Sequence, residues 1–280
     1  MLLWLRIIRP QTLFASLCPV LVVLICMRSP ITWPTALLTI ACSLSLQVLS
    51  NLINDYYDFR RGTDKQGRVG FRRALAEGEV TESQMRKACL LTLTISLITG
   101  LYLVIVGGWV ILAIGLTALL FAWLYTATSH SLSYLGIADI FVFLYYGVIA
   151  SCGTYYLQTN QFSWSVFFAG GVCGLISMCV LLINNLRDMD DDRRVGKRTL
   201  PVRFGRKAGL GLMGVVVMLM PVMAYLAYGW SLAMLVIMPG ILLWRAVSKA
   251  EAAAFNRCLL AAGLMNVLYT LLVIIDIAVS

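Results

Sequence analysis

Residues 140–186 read IFVFLYYGVIASCGTYYLQTNQFSWSVFFAGGVCGLISMCVLLINNL, forty-seven residues without a charge, and seven of the next eight, RDMDDDRR (187–194), are charged. A membrane-crossing helix needs about 20 apolar residues, so this stretch holds two spans, turned at Thr159-Asn160-Gln161, and its end marks the exit from the bilayer. Working outward, the other charge-free runs are 10–27, 29–54, 88–138, 208–244 and 258–275. The runs 88–138 and 208–244 are long enough for two helices each, with turns near Gly107-Gly108 and Gly229. The others hold one each. The spacing predicts an all-α integral membrane protein of nine transmembrane helices, a single transmembrane domain over 1–280, with no soluble domain between spans.

Composition and charge agree. Of 280 residues, 60% are hydrophobic and 12% charged, about half the charged fraction of a soluble domain. Twenty-six of the 35 charged side chains lie in two segments, 55–87 and 187–207. With the N-terminus cytoplasmic and nine spans, 21 of the 22 Lys and Arg fall on the cytoplasmic side and only Arg28 falls outside. Positive charge marks cytoplasmic loops, so the chain reads as multi-pass in the cell's inner (plasma) membrane, both charged segments at the cytoplasmic face. The net charge of +9 then reflects topology and anionic ligands, not nucleic-acid binding. Arg6 and Arg9 before an apolar run imitate a signal peptide, but that run contains Pro19 and reaches Met27-Arg28 without a small-residue cleavage site. It reads as the first span. The eight cysteines lie in or beside spans with no C-x-x-C pair and read as small apolar packing residues. Nothing in the pattern points to a protein partner.

The charged segments carry the chemistry. The first begins Asn51-Leu-Ile-Asn54-Asp55-Tyr-Tyr-Asp58; the second begins Asn184-Asn185-Leu-Arg187-Asp188-Met-Asp190-Asp191-Asp192. If the preceding helices continue, Asn51, Asn54/Asp55 and Asp58 share one face, and Asn184/Asn185, Asp188 and Asp192 do the same. Carboxylates at a bilayer edge are costly unless hydrated, paired or bound to cations, and acidic residues contribute little to topology. Two facing stripes of hard oxygen ligands suit Mg²⁺, which takes few carboxylates together with waters and phosphate oxygens. Each stripe is followed by cations: Lys65, Arg68, Arg72 and Arg73 after the first, Lys197, Arg198 and Arg203 after the second. Carboxylate, metal, then Arg or Lys is an arrangement that grips a diphosphate and stabilises it as it leaves.

These residues resemble the UbiA superfamily of intramembrane aromatic prenyltransferases, through Asn54-Asp55-x-x-Asp58 and Asp188-x-x-x-Asp192 after the second and sixth of nine spans. The resemblance is closer to its 1,4-dihydroxy-2-naphthoate polyprenyltransferase branch, which makes demethylmenaquinone. Four stretches carry it: Arg9-Pro10-x-Thr12-Leu13; Asn51 through Asp58 to Arg61-Gly62-x-Asp64; Tyr134-x-Gly136-x-x-Asp139 running to Gly153-Thr-Tyr-Tyr-Leu-Gln158; and Asn184 through Asp188 to Gly196-Lys197-x-Thr199. The resemblance implies a UbiA-type bundle in which Asp55, Asp58, Asp188 and Asp192 bind Mg²⁺ and are catalytic. It implies a polyprenyl diphosphate donor and a dihydroxynaphthoate acceptor, with Asn54, Asp64, Arg68, Arg72, Arg73, Asn184, Asn185, Lys197, Arg198 and Asp139 around them. Two departures stand out. Gly62 occupies the place where the wider superfamily often has a further Asp, and Gln11 that of a common basic residue.

Asp139, at the start of the fifth span, has two readings: a carboxylate favoured at a helix N-terminus, or a group near the acceptor. His130 in its loop reads as structural. The aromatics of 141–168 fit lipid-facing and tunnel-lining roles equally. Within the family, an isomeric dihydroxynaphthoate or a hydroxybenzoate is the alternative acceptor. Outside it, a cation-coupled transporter is the rival, though transporters place their sites near the midplane on interrupted helices.

Overall fold

The computed structural model describes residues 2–62, 73–124, 137–251 and 253–279. Asp64, Arg68, Arg72 and His130 lie outside them, as do Tyr134 and Gly136. Among the described residues there is no strand. The helices are α1 (Leu2–Ile8), α2 (Pro10–Cys26), α3 (Trp33–Arg60), α4 (Glu82–Leu124), α5 (Ala138–Thr159), α6 (Trp164–Arg187), α7 (Met189–Arg194), α8 (Leu200–Phe204), α9 (Arg206–Tyr228), α10 (Leu232–Ser248) and α11 (Ala254–Val279). Six of these, α3, α4, α5, α6, α9 and α11, are long and apolar enough to cross a membrane; α2 and α10 are shorter apolar helices.

The turn signals fall at helix breaks. Gly108 interrupts α4 with φ 63 and ψ −150, a backbone conformation that glycine adopts without a Cβ clash. A straight helix of 43 residues would run about 65 Å, twice the ~30 Å hydrocarbon core. Asn160 caps α5 with φ 53, and Gly229 closes α9 with φ 73.

Burial orders the bundle. In α6, 83% of the apolar stretch is buried, against 11% in α4. α6 is therefore the central post, packed by α2, α5, α9 and α11, while α4 lies at the edge against α3. Its outer face (Leu90, Leu91, Ile98, Ile105, Trp109) is exposed, which suits lipid and would be an aggregation hazard in water. Where α5 meets α6, backbone touches backbone. A Cβ on Gly147 would lie 2.5 Å from the Gly170 carbonyl oxygen, and one on Gly174 would lie 2.4 Å from that of Phe143. Small residues let membrane helices approach this closely. The π-helical turn Leu144–Ile149 lies at this contact.

Long-range contacts separate the two ends of the bundle. At one end, Arg9 pairs with Asp55, Gly263 of α11 sits against the Gln11 carbonyl, and Arg187 donates to Asn256 Oδ1 at 3.1 Å. Arg206 donates to the Ala250 carbonyl at 2.8 Å. At the other end, the Thr32 N–H donates to Gln158 Oε1 at 2.8 Å and Tyr228 shares a 3.1 Å hydrogen bond with Tyr269. The Leu232 N–H donates to Asp276 Oδ1 at 2.9 Å. Both acidic stripes therefore lie at the same end.

Candidate active site

α3 runs unbroken through the first stripe because nothing from Ala36 to Arg60 is Pro or Gly. It stops at Gly62, φ 66, whose N–H donates to the Phe59 carbonyl at 2.9 Å, in the manner of a glycine C-cap. Asn51, Asp55 and Asp58 are buried, with both aspartates under 5% exposed. They share one face as the spacing predicts; Asn54 is half-buried beside them. Asn51 Nδ2 donates to the Ile8 carbonyl and to Thr12 Oγ1, both at 2.9 Å, locking α3 to the start of α2.

One oxygen of Asp55, Oδ1, accepts from both Arg9 and Arg73. Arg73 also approaches Asp58 Oδ2 at 4.0 Å. The sequence reading gave Arg73 to this site but used Arg9 only for topology and for the family motif. Pro10 fixes φ and opens α2 as proline does at a first helical position. Arg9, just before it, takes a left-handed conformation, φ 57 and ψ 72, rare for a residue with a Cβ.

The second stripe departs from a continuous helix. α6 ends at Arg187, Asp188 leaves helical geometry with φ −93 and ψ 10, and α7 restarts at Met189. Asp188 and Asp192 nevertheless stay one turn apart, since the Asp192 N–H donates to the Asp188 carbonyl at 2.8 Å. Arg187 grips Asp188 with two parallel bonds, Nε to Oδ1 at 2.7 Å and Nη2 to Oδ2 at 2.8 Å. Asp192 is buried with Lys197 Nζ 3.5 Å away. Asn185 is buried; Asn184 donates back to its own helix at Val180. Asp190 and Asp191 pair with Arg193 and Arg194 on the exposed face, and Arg198 is exposed. Sequence reasoning left Arg187 and Asn256 out of the site. Arg187 adjoins an aspartate and was visible; Asn256, 69 residues away, carried no local signal.

Asp139, in the first turn of α5, is buried, and its Oδ1 has no hydrogen-bond partner among the described residues. Its neighbour Ala138 packs with Leu181 of α6, one turn before Asn184 and Asn185, which puts Asp139 at the same end as the stripes.

Among the described residues, no three His, Cys, Asp or Glu side chains converge closely enough to cage a metal. The donors present are two pairs of carboxylates on separate helices, Asp55 with Asp58 and Asp188 with Asp192, each pair already facing a cation. Such a set fits Mg²⁺, which is held by one or two carboxylates plus phosphate oxygens and waters in preference to an all-protein cage.

Fold and composition together define a multi-pass, all-helical membrane protein. Its architecture matches that of a UbiA homolog from Archaeoglobus fulgidus bound to DMAPP and Mg²⁺, with a TM-score of 0.69 at 19% identity, over 99% of each chain. Residues 16–272 match the UbiA prenyltransferase family, and the chain belongs to that family. It is 35% identical over 217 residues to the 1,4-dihydroxy-2-naphthoate octaprenyltransferase of Escherichia coli, covering 72% of this chain and 68% of that one. It is 33% identical over 243 residues to the enzyme of that name from Mycobacterium tuberculosis, covering 84% and 82%.

Proposed function

We propose that this protein transfers a polyprenyl group from polyprenyl diphosphate to 1,4-dihydroxy-2-naphthoate, with loss of pyrophosphate and CO₂. The product is demethylmenaquinone in its reduced form, a step of menaquinone biosynthesis. The observation that carries the reading is the gathering of four carboxylates and their partner cations Arg9, Arg73, Arg187 and Lys197 at one end of the bundle. Kinship with naphthoate octaprenyltransferases supports the acceptor.

Asp55, Asp58, Asp188 and Asp192 would hold Mg²⁺. Bound there with the diphosphate, Mg²⁺ neutralises charge on the leaving group and lowers the cost of its departure. Arg73 and Lys197, with Arg68, Arg72 and Arg198 from the basic loops, take up diphosphate charge; guanidinium forks match phosphate oxygens. Asn54, Asn184, Asn185 and Asp64 orient the head group. The allylic carbon–oxygen bond breaks with both electrons leaving on pyrophosphate, and the ring carbon of the naphthoate then bonds to the allylic carbon. The carboxylate leaves as CO₂, returning its bonding pair to the ring. The apolar interior keeps water from the allylic cation until the ring attacks. Asp139, buried at the same end of the bundle as the stripes, faces the acceptor in this reading.

In this reading the chain is one domain of nine crossings in the inner membrane. α4 crosses twice about Gly108, and the shorter α2 and α10 complete the set. The N-terminus and the site lie on the cytoplasmic side. The test is a panel of aromatic acids offered with one polyprenyl diphosphate and Mg²⁺ to membranes containing the full chain, with products resolved by mass. A prenylated, decarboxylated naphthalene product is expected. Transfer only to a hydroxybenzoate or an isomeric naphthoate, or none at all, would overturn the acceptor assignment.

A further inference from the structure

α1 is a short apolar helix before the first span, and it does not lie idle. Ile7 is buried in one apolar cluster with Leu52 of α3 and with Ala74, Leu75, Val80 and Met85, the turn that follows Arg73 and the helix start beyond it; Leu3 and Trp4 pack against that cluster. Arg6 pairs with Glu79 across that surface. The turn itself is cross-linked by its backbone. The Glu77 N–H donates to the Arg73 carbonyl at 2.9 Å, and the Glu79 N–H donates to the Ala74 carbonyl at 2.8 Å. Glu79 and Arg73 are thus the two ends of one hydrogen-bonded unit.

Arg73 reaches back to Asp55 Oδ1, and the same oxygen takes Arg9, three residues after Arg6. The contacts close a ring: Arg6 to Glu79, through the turn to Arg73, to Asp55, to Arg9, and along the chain to Arg6. Opening the ring at the Arg6–Glu79 pair, on the exposed side, removes the ion pair that ties the Glu79 end of the turn to α1 and leaves the apolar contacts between them. We propose that α1 is a positioning element for the donor diphosphate, with Arg6 as its positioning residue: through Glu79 and the 73–79 turn it sets where the Arg73 guanidinium stands. The inference rests on the donor reading given above. Arg6 itself touches no substrate in this scheme.

The experiment is equilibrium binding of a labelled prenyl diphosphate, with Mg²⁺ and no acceptor, to the full chain purified in detergent micelles. Exposed ion pairs are weak, but reversing one partner replaces attraction by repulsion, so Arg6→Glu and Glu79→Arg should each weaken donor binding about threefold to tenfold. The double variant, with the pair restored in the opposite sense, should return to within about twofold of wild type. Binding of the naphthoate alone should not change. If a reversed variant fails to fold, Arg6→Gln serves in its place, with a loss of about twofold to threefold expected. Unchanged donor binding in the single variants, failure of the double to rescue, or parallel loss of donor and naphthoate binding would overturn the inference. A wild-type chain that binds no prenyl diphosphate would instead overturn the donor reading itself. Binding without prenyl transfer would leave this inference standing and refute the acceptor assignment.

Discussion

Replacing Asp55 by Asn separates what holds the site together from what performs its chemistry. Two guanidiniums converge on one buried carboxylate oxygen. Without the negative charge, Arg9 and Arg73 face each other across a neutral amide, with little water between them, since their side chains are 15% and 13% exposed. Two unit charges about 4 Å apart repel by roughly 4 kcal/mol at an effective dielectric of 20. Loss of one member of a buried pair costs a similar 3–5 kcal/mol. Relaxation of two flexible side chains and the Asp58 carboxylate 4.0 Å from Arg73 reduce this, so about 2–3 kcal/mol is expected to remain, a fall of roughly 4–12 °C in melting midpoint for a chain of this size. Asp55→Asn/Arg9→Gln removes one of the two cations and should recover most of that stability. It should not recover turnover, because the carboxylate proposed to bind metal is still missing. Thermal unfolding in detergent and prenyl transfer in the same preparations read the two effects apart. An Asp55→Asn chain as stable as wild type would refute the convergence of Arg9 and Arg73 on Asp55. Recovery of turnover in the double variant would refute the assignment of Asp55 as a metal ligand.

Two further outcomes follow from the geometry. Arg187→Lys keeps the charge but loses the two-pronged grip on Asp188; it should lower turnover at limiting Mg²⁺ by about tenfold while high Mg²⁺ recovers part of the rate, and an unaltered Mg²⁺ titration would count against the role of Asp188. Gly174→Val, whose Cβ would lie 2.4 Å from the Phe143 carbonyl oxygen, should abolish accumulation of folded protein, whereas Gly211→Ala, with open space at its Cβ, should accumulate normally; equal yields by size-exclusion chromatography would contradict the α5–α6 contact.

Much of the architecture was legible because a bilayer imposes its own ruler. Spans must be about 20 residues and apolar, so the long charge-free runs need interruptions, and helical geometry is broken at the residues suited to it, Gly108, Asn160 and Gly229. The first acidic stripe was legible for a related reason: an uninterrupted helix preserves the i, i+4, i+7 face. The second was legible only in part. A cluster of acidic residues favours the start of a helix, so Asp190, Asp191 and Asp192 open α7 and the axis breaks at Asp188. The pairing of Arg9 with Asp55 was not legible at all. It joins residues 46 apart, and an arginine beside a first span satisfies the topology rule without any partner. Periodicity reports which face a residue occupies; what stands opposite depends on the packing of helices distant in sequence.

The contact between α5 and α6, where Gly147, Gly170 and Gly174 bring main chain against main chain, has a consequence for how this bundle can diversify. Elsewhere, a methyl group gained or lost changes the space between two helices by a small step, which a dense interior registers but tolerates. Here there is no side chain to shorten, and lengthening one drives carbonyls apart. The seam works as a fixed spine. Variation in the interior of the bundle must therefore come from its other helix contacts, where side chains and not main chain meet.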